Sequence, residues 1–238
     1  MDRPIRSDDR GWTPLPQLVA RRLQNLILEG TWKPGQKIPS QRTLSEDYDI
    51  SRASLREALL TLETLGLIRS EPGRGTFVTH GQEGTRSKEG RWRYADSLPL
   101  RDVFQTRIML ESEIAALAAQ GIDDGSLDRL EAATEEMQRG WDLGDLVTNV
   151  EADLLFHQII VGHCGNRMLQ LLYENAAEIL TETQRQPIPA TRTERMQASI
   201  AEHREVIAAL RARDPEGARA AMATHIRNTA LSAAVDLD

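Results

Sequence analysis

The fold is set by residues 40–59, SQRTLSEDYDISRASLREAL, which predict two short helices joined by a tight turn. Ser40 and Ser51 are of the residue type that caps a helix N-terminus, because a hydroxyl oxygen accepts hydrogen bonds from the free backbone N–H groups there. The apolar residues that follow recur at helical spacing, and they are Leu55, Ala58, Leu59, Leu62 and Leu65. This pattern is typical of a helix-turn-helix.

The outer face of the second predicted helix carries Arg52 and Arg56, which lie four residues apart and therefore share one side of the helix. A guanidinium group can bind guanine O6 and N7 in the DNA major groove, or two phosphate oxygens. The same two arginines also suit a solvated basic face on an ordinary helix pair. Taken alone, this stretch does not separate DNA reading from the simpler interpretation.

Two β-favouring runs, residues 67–70 and 76–79, surround the turn sequence EPGRG and predict a hairpin. Gly73 and Gly75 can take positive φ angles and let the backbone come close to a groove edge, with Arg74 at the tip. A plain surface hairpin is the alternative. An amphipathic helix over residues 15–29, then the helix-turn-helix, then this hairpin is the order of a winged helix, which favours DNA binding.

The charge of the chain is unevenly distributed. The net charge is −7, yet residues 1–80 carry 12 Lys+Arg and 10 Asp+Glu for +2, and residues 81–238 carry 17 and 26 for −9. The positive part therefore contains the candidate helix-turn-helix. The acidic remainder argues against a second nucleic-acid surface.

The cysteine content and the apolar runs predict a cytoplasmic protein with no membrane partner. Cys164 is the one cysteine, so no internal disulfide can form, which suits a reducing compartment. The start, MDRPIR, is charged and lacks the apolar region of a signal peptide. No run approaches the roughly 18 apolar residues that a membrane span requires.

The pattern divides the chain into four parts and predicts a mostly α protein. Residues 1–13 are a flexible N-terminus, 14–79 the winged helix-turn-helix, 80–97 a Gly-rich linker, and 98–235 an all-α antiparallel bundle. Aromatic residues make up only 4% of the chain, which also favours helices over a β-sandwich. Six helices are expected in the bundle, with one break at Gly140 and the next helix starting within residues 142–145.

Three histidines and an aspartate lie on apolar faces of the predicted bundle helices. Asp153 and His157 are four residues apart and project from one face, while His203 and His225 lie among apolar neighbours on two other helices. A lone buried histidine is usually a hydrogen-bonded core residue, but burying several such groups without a common partner is costly. Neutral imidazoles and a carboxylate suit a divalent ion, with Zn first and Ni, Mn, Fe or Co as alternatives. His80 and His163 fall outside this pattern.

Arg107 lies on the apolar face of the first bundle helix, where an arginine requires an anion. One interpretation is an intrahelical ion pair with Glu111, four residues on. The other is a bidentate clamp for the carboxylate of a small ligand. The residues alone leave both open.

These motifs together resemble the GntR family of bacterial transcription regulators. The segments that show the resemblance are PSQR at 39–42, SR at 51–52, LREAL at 55–59, LGLI at 65–68 and GRGTFV at 73–78. Residues 98–233 resemble the FCD effector domain of its FadR-like branch. Gln41 departs from the family, which commonly has Glu there, and the linker is long.

The resemblance implies a role for each candidate residue. The residues expected to contact operator DNA are Arg42, Ser51, Arg52, Ser54, Arg56, Gly73 and Arg74. It implies that Asp153, His157, His203 and His225 bind the metal and that Arg107 binds the effector. Family members bind inverted-repeat operators as homodimers and usually repress genes of sugar-acid, amino-acid or organic-acid metabolism.

The sequence therefore predicts a homodimeric, metal-containing repressor that responds to a small organic acid and is not an enzyme. Two other classes use the same residues. In a metal-sensing repressor the ion itself would be the signal. In a metal-dependent hydrolase the ion would activate water, but the chain has no HExxH motif and the winged helix would be unexplained.

Overall fold

A computed structural model of the chain describes residues 15–79, 94, 97–185, 187–188 and 191–237. The chain forms two compact units, residues 1–90 and 91–238. The predicted flexible N-terminus, His80 and all of the predicted linker except residues 94 and 97 lie outside the described residues. None of the described helices is long and apolar enough to cross a membrane.

The first unit is a winged helix, as predicted. Its elements in chain order are α1 (Leu15–Leu28), α2 (Gln41–Asp47), α3 (Arg52–Thr64), β1 (Ile68–Glu71) and β2 (Gly75–Val78). The two strands pair antiparallel, with Ile68 opposite Val78 and Glu71 opposite Gly75. The five apolar residues predicted to face inward are all buried, four of them on α3 and the fifth, Leu65, directly after its end. They pack against α1, which contributes Val19 and Leu23.

The segment before α2 differs from the prediction, which gave it only turns. Lys37 forms an antiparallel β-bridge with Phe77, and the Ile38 N–H donates to the Thr76 carbonyl at 2.9 Å. The Val78 N–H in turn donates to the Gln36 carbonyl at 2.9 Å. This pairing covers the otherwise open edge of β2, so the wing is anchored to the chain that leads into the helix-turn-helix.

The second unit is a bundle of six described helices, which confirms the predicted fold class. They are α4 (Leu100–Ala118), α5 (Asp124–Leu143), α6 (Leu146–Gly162), α7 (Arg167–Arg185), α8 (Thr193–Arg211) and α9 (Pro215–Ser232). The broadest packing pairs α4 with α9, α5 with α6, and α8 with α9. Asp214 caps α9 by accepting from the Gly217 N–H, and Pro215 occupies the first turn, where it loses no hydrogen bond.

The predicted helix boundary at Gly140 is wrong. Helix α5 continues to Leu143 and ends at Gly144, whose φ of 71° is left-handed, and Asp145 caps α6. Gly140 lies inside α5 and is buried against α6. A Cβ atom there would lie only 2.7 Å from the backbone nitrogen of Asn149. The glycine therefore serves the close approach of α5 to α6, not a helix end.

This contact predicts opposite effects for two Gly→Ala substitutions. Gly140→Ala should lower the free energy of unfolding by about 1–3 kcal/mol, because the new methyl group meets backbone that cannot move aside freely. Gly162→Ala is the matched control, since nothing lies within 4 Å of a Cβ there. It should leave stability unchanged or raise it by up to about 1 kcal/mol. Urea denaturation followed by circular dichroism measures both, and equal effects would contradict the close-approach explanation.

Candidate nucleic-acid interface and metal centre

The two capping serines build the helix-turn-helix as the sequence predicts. Ser40 Oγ accepts from the Thr43 N–H at 3.2 Å at the start of α2. Ser51 Oγ accepts from the Ser54 N–H at 3.0 Å at the start of α3 and lies 2.9 Å from Ser54 Oγ. The hydroxyls of Ser51 and Ser54 therefore fix the first turn of α3, which is the part of a recognition helix that meets the DNA bases.

The predicted DNA-contacting arginines are exposed on the surface of the winged helix. Arg52 and Arg56 are exposed on α3, whereas Leu55 between them is fully buried. Arg42 is exposed on α2, with its Nε 4.0 Å from Glu46 Oε1, a distance that leaves the guanidinium largely free. Within the described part of the chain, no core contact competes for these three side chains, so they can move to meet DNA.

The tip of the wing requires glycine. Gly73 has a φ of 74° and Gly75 a φ of 116°, both of which side-chain-bearing residues rarely adopt. A Cβ atom on Gly75 would also lie 2.5 Å from Lys37 Cε. Arg74 stands exposed between the two glycines and contacts the Glu71 carboxylate.

The four predicted metal ligands come together in the core of the bundle. Asp153 and His157 come from α6, His203 from α8 and His225 from α9. One donor atom from each lies within 4.8 Å of all the others. The three imidazoles are 0–3% exposed. Their ring centroids are 4.4 Å apart for His203 and His225, and 5.5 Å apart for His157 and His225.

This donor set fits a divalent metal ion. Bonds of about 2.1 Å place ligand atoms up to about 4.2 Å apart across the ion, close to the span observed. His203 Nε2 lies 3.2 Å from Asp153 Oδ1. Among the described residues, however, neither ring nitrogen of His203 or of His157 has a hydrogen bond of acceptable geometry. Buried polar nitrogens without such partners are costly, and a shared ion would bind one nitrogen of each ring.

We call the four candidate ligands, Asp153, His157, His203 and His225, the cage. Two carboxylates face ring nitrogens on its outer side. Glu111 Oε2 lies 2.6 Å from His157 Nδ1, and Glu202 Oε2 lies 3.1 Å from His225 Nδ1. A carboxylate at the second nitrogen of a metal-binding histidine orients the ring and presents the other nitrogen to the ion. Gln184 completes this outer layer by donating to Asp153 Oδ2 at 2.9 Å.

The charges of the cage suit metal binding at neutral pH. Burial lowers the pKa of His225, and neighbouring His203 lowers it further, to about 4, so its imidazole is neutral. Burial alone would raise the pKa of Asp153, but the close approach of His203 and of the other two imidazoles brings it below its usual range. A neutral imidazole and an ionised carboxylate are the forms that bind a metal.

Arg107 forms the ion pair that was one of its two interpretations. Its Nε donates to Glu111 Oε1 at 2.6 Å, and Nη1 donates to Thr183 Oγ1 at 2.9 Å. Burial raises the pKa of Glu111, but the charges of Arg107 and His157 more than offset this and lower it to about 2. The pair does not exclude the ligand-clamp interpretation, because Arg107 also lines a pocket beside the cage.

The pocket joins the metal cage to Arg107 and to a second arginine. Asp153 and His225 form one part of its wall, and Arg107 and Arg195 form others. Its cavity volume is about 40 Å³, room for a few water molecules. The remaining wall is mixed, with hydroxyl and amide groups beside apolar side chains; it consists of Met137, Asn149, Val150, Gln184, Pro187, Ile188, Thr191, Met196, Ser199, Thr229 and Ser232.

The sequence did not point to Glu202, Gln184 or Arg195. Glu202 directly precedes His203 in the chain, yet it contacts His225 on another helix, and no spacing rule relates residues 23 positions apart. For Glu111, the sequence predicts only a pairing with Arg107. His163, excluded from the metal set, instead contacts Asp123, and its Nε2 lies 3.1 Å from Ser126 Oγ.

Comparison with known proteins gives the same two parts. Residues 15–78 match the family described as bacterial regulatory proteins of the gntR family, and residues 102–228, more than half of the chain, match the FCD domain. The chain is 28% identical over 210 residues to the HTH-type transcriptional regulator LutR of Bacillus subtilis, covering 85% of this chain and 94% of that protein.

Two further proteins extend the similarity. The Uxu operon transcriptional regulator of Escherichia coli is 26% identical over 220 residues, covering 89% of this chain and 84% of that protein. The solved structure of E. coli McbR/YncC superposes with a TM-score of 0.54 at 23% identity, covering 92% of this chain and 97% of the other. At that identity the superposition shows a shared fold only.

The cage predicts that added metal stabilises the protein and that the response depends on its own histidines. Zn²⁺ at 100 times its dissociation constant should stabilise the bundle by about 2.7 kcal/mol through mass action. His203→Ala should abolish most of this gain. His163→Ala is the control and should keep it, because His163 lies outside the cage. Melting curves with chelator and with Zn²⁺, Ni²⁺ or Mn²⁺ measure the gain, and an equal loss in both variants would exclude the cage as the metal site.

Proposed function

The chain belongs to the GntR family of bacterial regulatory proteins and carries an FCD domain, and we propose that it is a homodimeric repressor whose binding to operator DNA responds to a small organic acid held beside a metal ion. The family and its relatives are transcription regulators, not enzymes. The observation that supports the effector part most directly is a pocket whose wall contains two of the four candidate metal donors, Asp153 and His225, together with two arginines.

The winged helix supplies the DNA-binding end. In the proposed complex α3 enters the major groove, where Arg52 and Arg56 contact base edges or phosphates, and Gly73 and Arg74 bring the wing to the neighbouring groove. Arg42 contacts the backbone from α2. A homodimer would place two such helices in successive major grooves about 34 Å apart, so the operator would be an imperfect inverted repeat.

The bundle supplies the sensing end. Asp153, His157, His203 and His225 would hold the ion, and four protein ligands leave up to two positions on a six-coordinate ion. When bound, the divalent ion offers a positive charge for a carboxylate or hydroxyl oxygen of the ligand. Arg107 would bind a second ligand oxygen. The two arginines and the mixed wall of the pocket favour a small hydroxy acid or sugar acid.

Repression is supported by relatives that carry that name. The transcriptional repressor NanR of Cronobacter sakazakii is 26% identical over 218 residues. Because both recognition helices must match their groove spacing at once, a small reorientation of the two winged helices would be enough to release the operator. The proposed effector would favour the released arrangement.

Arg52 should determine base preference within the operator. Arg52→Ala should lose about 1–3 kcal/mol of discrimination at one base position in each half-site, because a bidentate arginine–guanine contact carries that much. Arg204→Ala, an exposed arginine of the bundle, should leave the preference unchanged. The operator is first obtained by selection from a random duplex library and then tested by gel shift with single-base variants. Full discrimination by the Arg52→Ala variant would contradict this role.

The effector should be found by its stabilising effect on metal-loaded protein. In a thermal-shift screen of carboxylates, hydroxy acids and sugar acids, we expect one class to raise the melting temperature by mass action and to release DNA in a gel shift. Arg107→Lys should weaken that response, because lysine keeps the charge beside Glu111 but loses the fork that binds a carboxylate. DNA release by chelator alone, without any acid, would favour the metal-sensor alternative. Turnover of a screened compound would contradict the assignment as a non-enzyme.

A further inference from the structure

A chain of three polar residues leads from the pocket to the metal cage. Arg195 binds Glu202 through two parallel hydrogen bonds, Nη1 to Oε1 at 2.8 Å and Nη2 to Oε2 at 2.7 Å. Glu202 Oε2 then lies 3.1 Å from His225 Nδ1, and Oε1 also accepts from Asn228 at 2.7 Å. The carboxylate is therefore held by three donor groups and has little freedom to turn away from the imidazole.

The same arrangement occurs on the other side of the cage, where Arg107 binds Glu111 and Glu111 faces His157. Both arginines line the pocket, but they differ in exposure. The Arg107 side chain is 1% exposed and the Arg195 side chain 23%. Arg195 donates one further hydrogen bond, from Nε to Ser232 Oγ at 3.1 Å. Of its five N–H groups, two have no partner among the described residues and can bind a pocket occupant.

We propose that Glu202, held by Arg195, is a positioning residue that sets the metal affinity of the cage through His225. This inference rests on the proposed function, because it takes the four residues of the cage to be metal ligands. Glu202 accepts the Nδ1–H of His225, which fixes the tautomer whose Nε2 lone pair is free for the ion. Arg195 also lines the pocket. A ligand that moves Arg195 would therefore affect the candidate metal ligand His225 through the Glu202 carboxylate alone.

Measuring the metal affinity of variants tests the proposed connection from Arg195 through Glu202 to His225 directly. We expect Glu202→Gln to weaken Zn²⁺ binding about 10- to 100-fold, as loss of an outer carboxylate typically does. Arg195→Met should weaken it less. The double variant should bind no more weakly than Glu202→Gln alone, because Arg195 acts through Glu202. Glu205→Gln is the matched control, an exposed glutamate on the same helix. Competition with a chromogenic chelator gives each dissociation constant.

Two results would overturn the inference. One is Zn²⁺ binding by Glu202→Gln as tight as by Glu205→Gln, and the other is a fully additive double variant. A second readout avoids dependence on the metal: the ¹⁵N shifts of the His225 ring in metal-free protein should report an Nδ1–H tautomer that Glu202→Ala loses and Glu202→Asp partly restores. If the wild type shows this tautomer but binds neither Zn²⁺, Ni²⁺ nor Mn²⁺, the metal part of the proposed function fails and the inference fails with it, whereas the two results above overturn the inference alone.

A separate observation concerns the wing, where one carboxylate joins two arginines. Glu71 Oε1 lies 2.9 Å from Arg69 Nη2, and Glu71 Oε2 contacts Arg74 Nη1. Both guanidinium groups also lie beside the Phe77 ring, 5.9 and 5.7 Å from its centroid. Arg69 and Glu71 share one face of β1, and Phe77 is the cross-strand partner of Arg69.

We infer that Glu71 restrains the DNA affinity of this wing. The Glu71 carboxylate neutralises part of the positive charge that Arg69 and Arg74 offer to a phosphate group, and its own negative charge repels the DNA backbone. Removing its charge should therefore strengthen sequence-independent binding, which depends on phosphate contacts. The effect should be modest, because ion pairs at an exposed site are weak.

Binding to a random-sequence 30-base-pair duplex, followed by fluorescence anisotropy between 50 and 200 mM salt, tests this. Glu71→Gln should bind about two- to fivefold more tightly at the lowest salt and should show a log–log salt slope steeper by about 1. Glu29→Gln, the same charge change at an exposed position after α1, should match the wild type. Equal behaviour of Glu71→Gln and Glu29→Gln overturns the inference alone. No binding by any variant overturns the proposed DNA-binding function with it.

Discussion

Burial of one carboxylate and three imidazoles in the core of the bundle is the constraint on which the rest of that unit depends. Each buried polar group that lacks a partner costs about 1–3 kcal/mol, and an unpaired buried charge costs more. Surrounding polar residues reduce this cost by contacting the buried groups. Gln184 donates to Asp153, Glu111 faces His157, and Glu202 faces His225. Among the described residues, the ring nitrogens of His203 still have no hydrogen bond of acceptable geometry, and this favours a shared ion.

The two carboxylates that face the histidines, Glu111 and Glu202, are themselves partly or fully buried, so each needs a positive charge beside it. Arg107 and Arg195 supply it, which explains why two arginines sit against the core of an acidic bundle. Both arginines also line the pocket, so the groups that hold the outer carboxylates form part of its wall. The proposed ligand site and the proposed metal site are therefore parts of one polar network, built on α4, α6, α7, α8 and α9.

The winged helix differs from the bundle in where its charged residues lie. Its polar residues at the surface have no burial cost, so they remain available for a partner, and the structure of the unit comes from the apolar side of α3 and from local caps. The wing is the exception, because Glu71 engages both of its arginines, and Lys37 joins its outer strand. The two units thus use charge in opposite ways, one to satisfy a core and the other to present an exposed surface.

Local patterns in the sequence determined the elements and the candidate ligand set. Serine caps, the period of the leucines in α3, and the four-residue spacing of Asp153 and His157 depend only on nearby residues, so the amino-acid sequence alone predicts the winged helix, the bundle and the four donors. The tertiary structure alone decided what joins them. Glu202 reaches His225 across 23 residues, Gln184 reaches Asp153 across 31, and Gly140 proved to be a contact between helices, not a boundary. Such choices depend on how helices pack, which no local periodicity encodes.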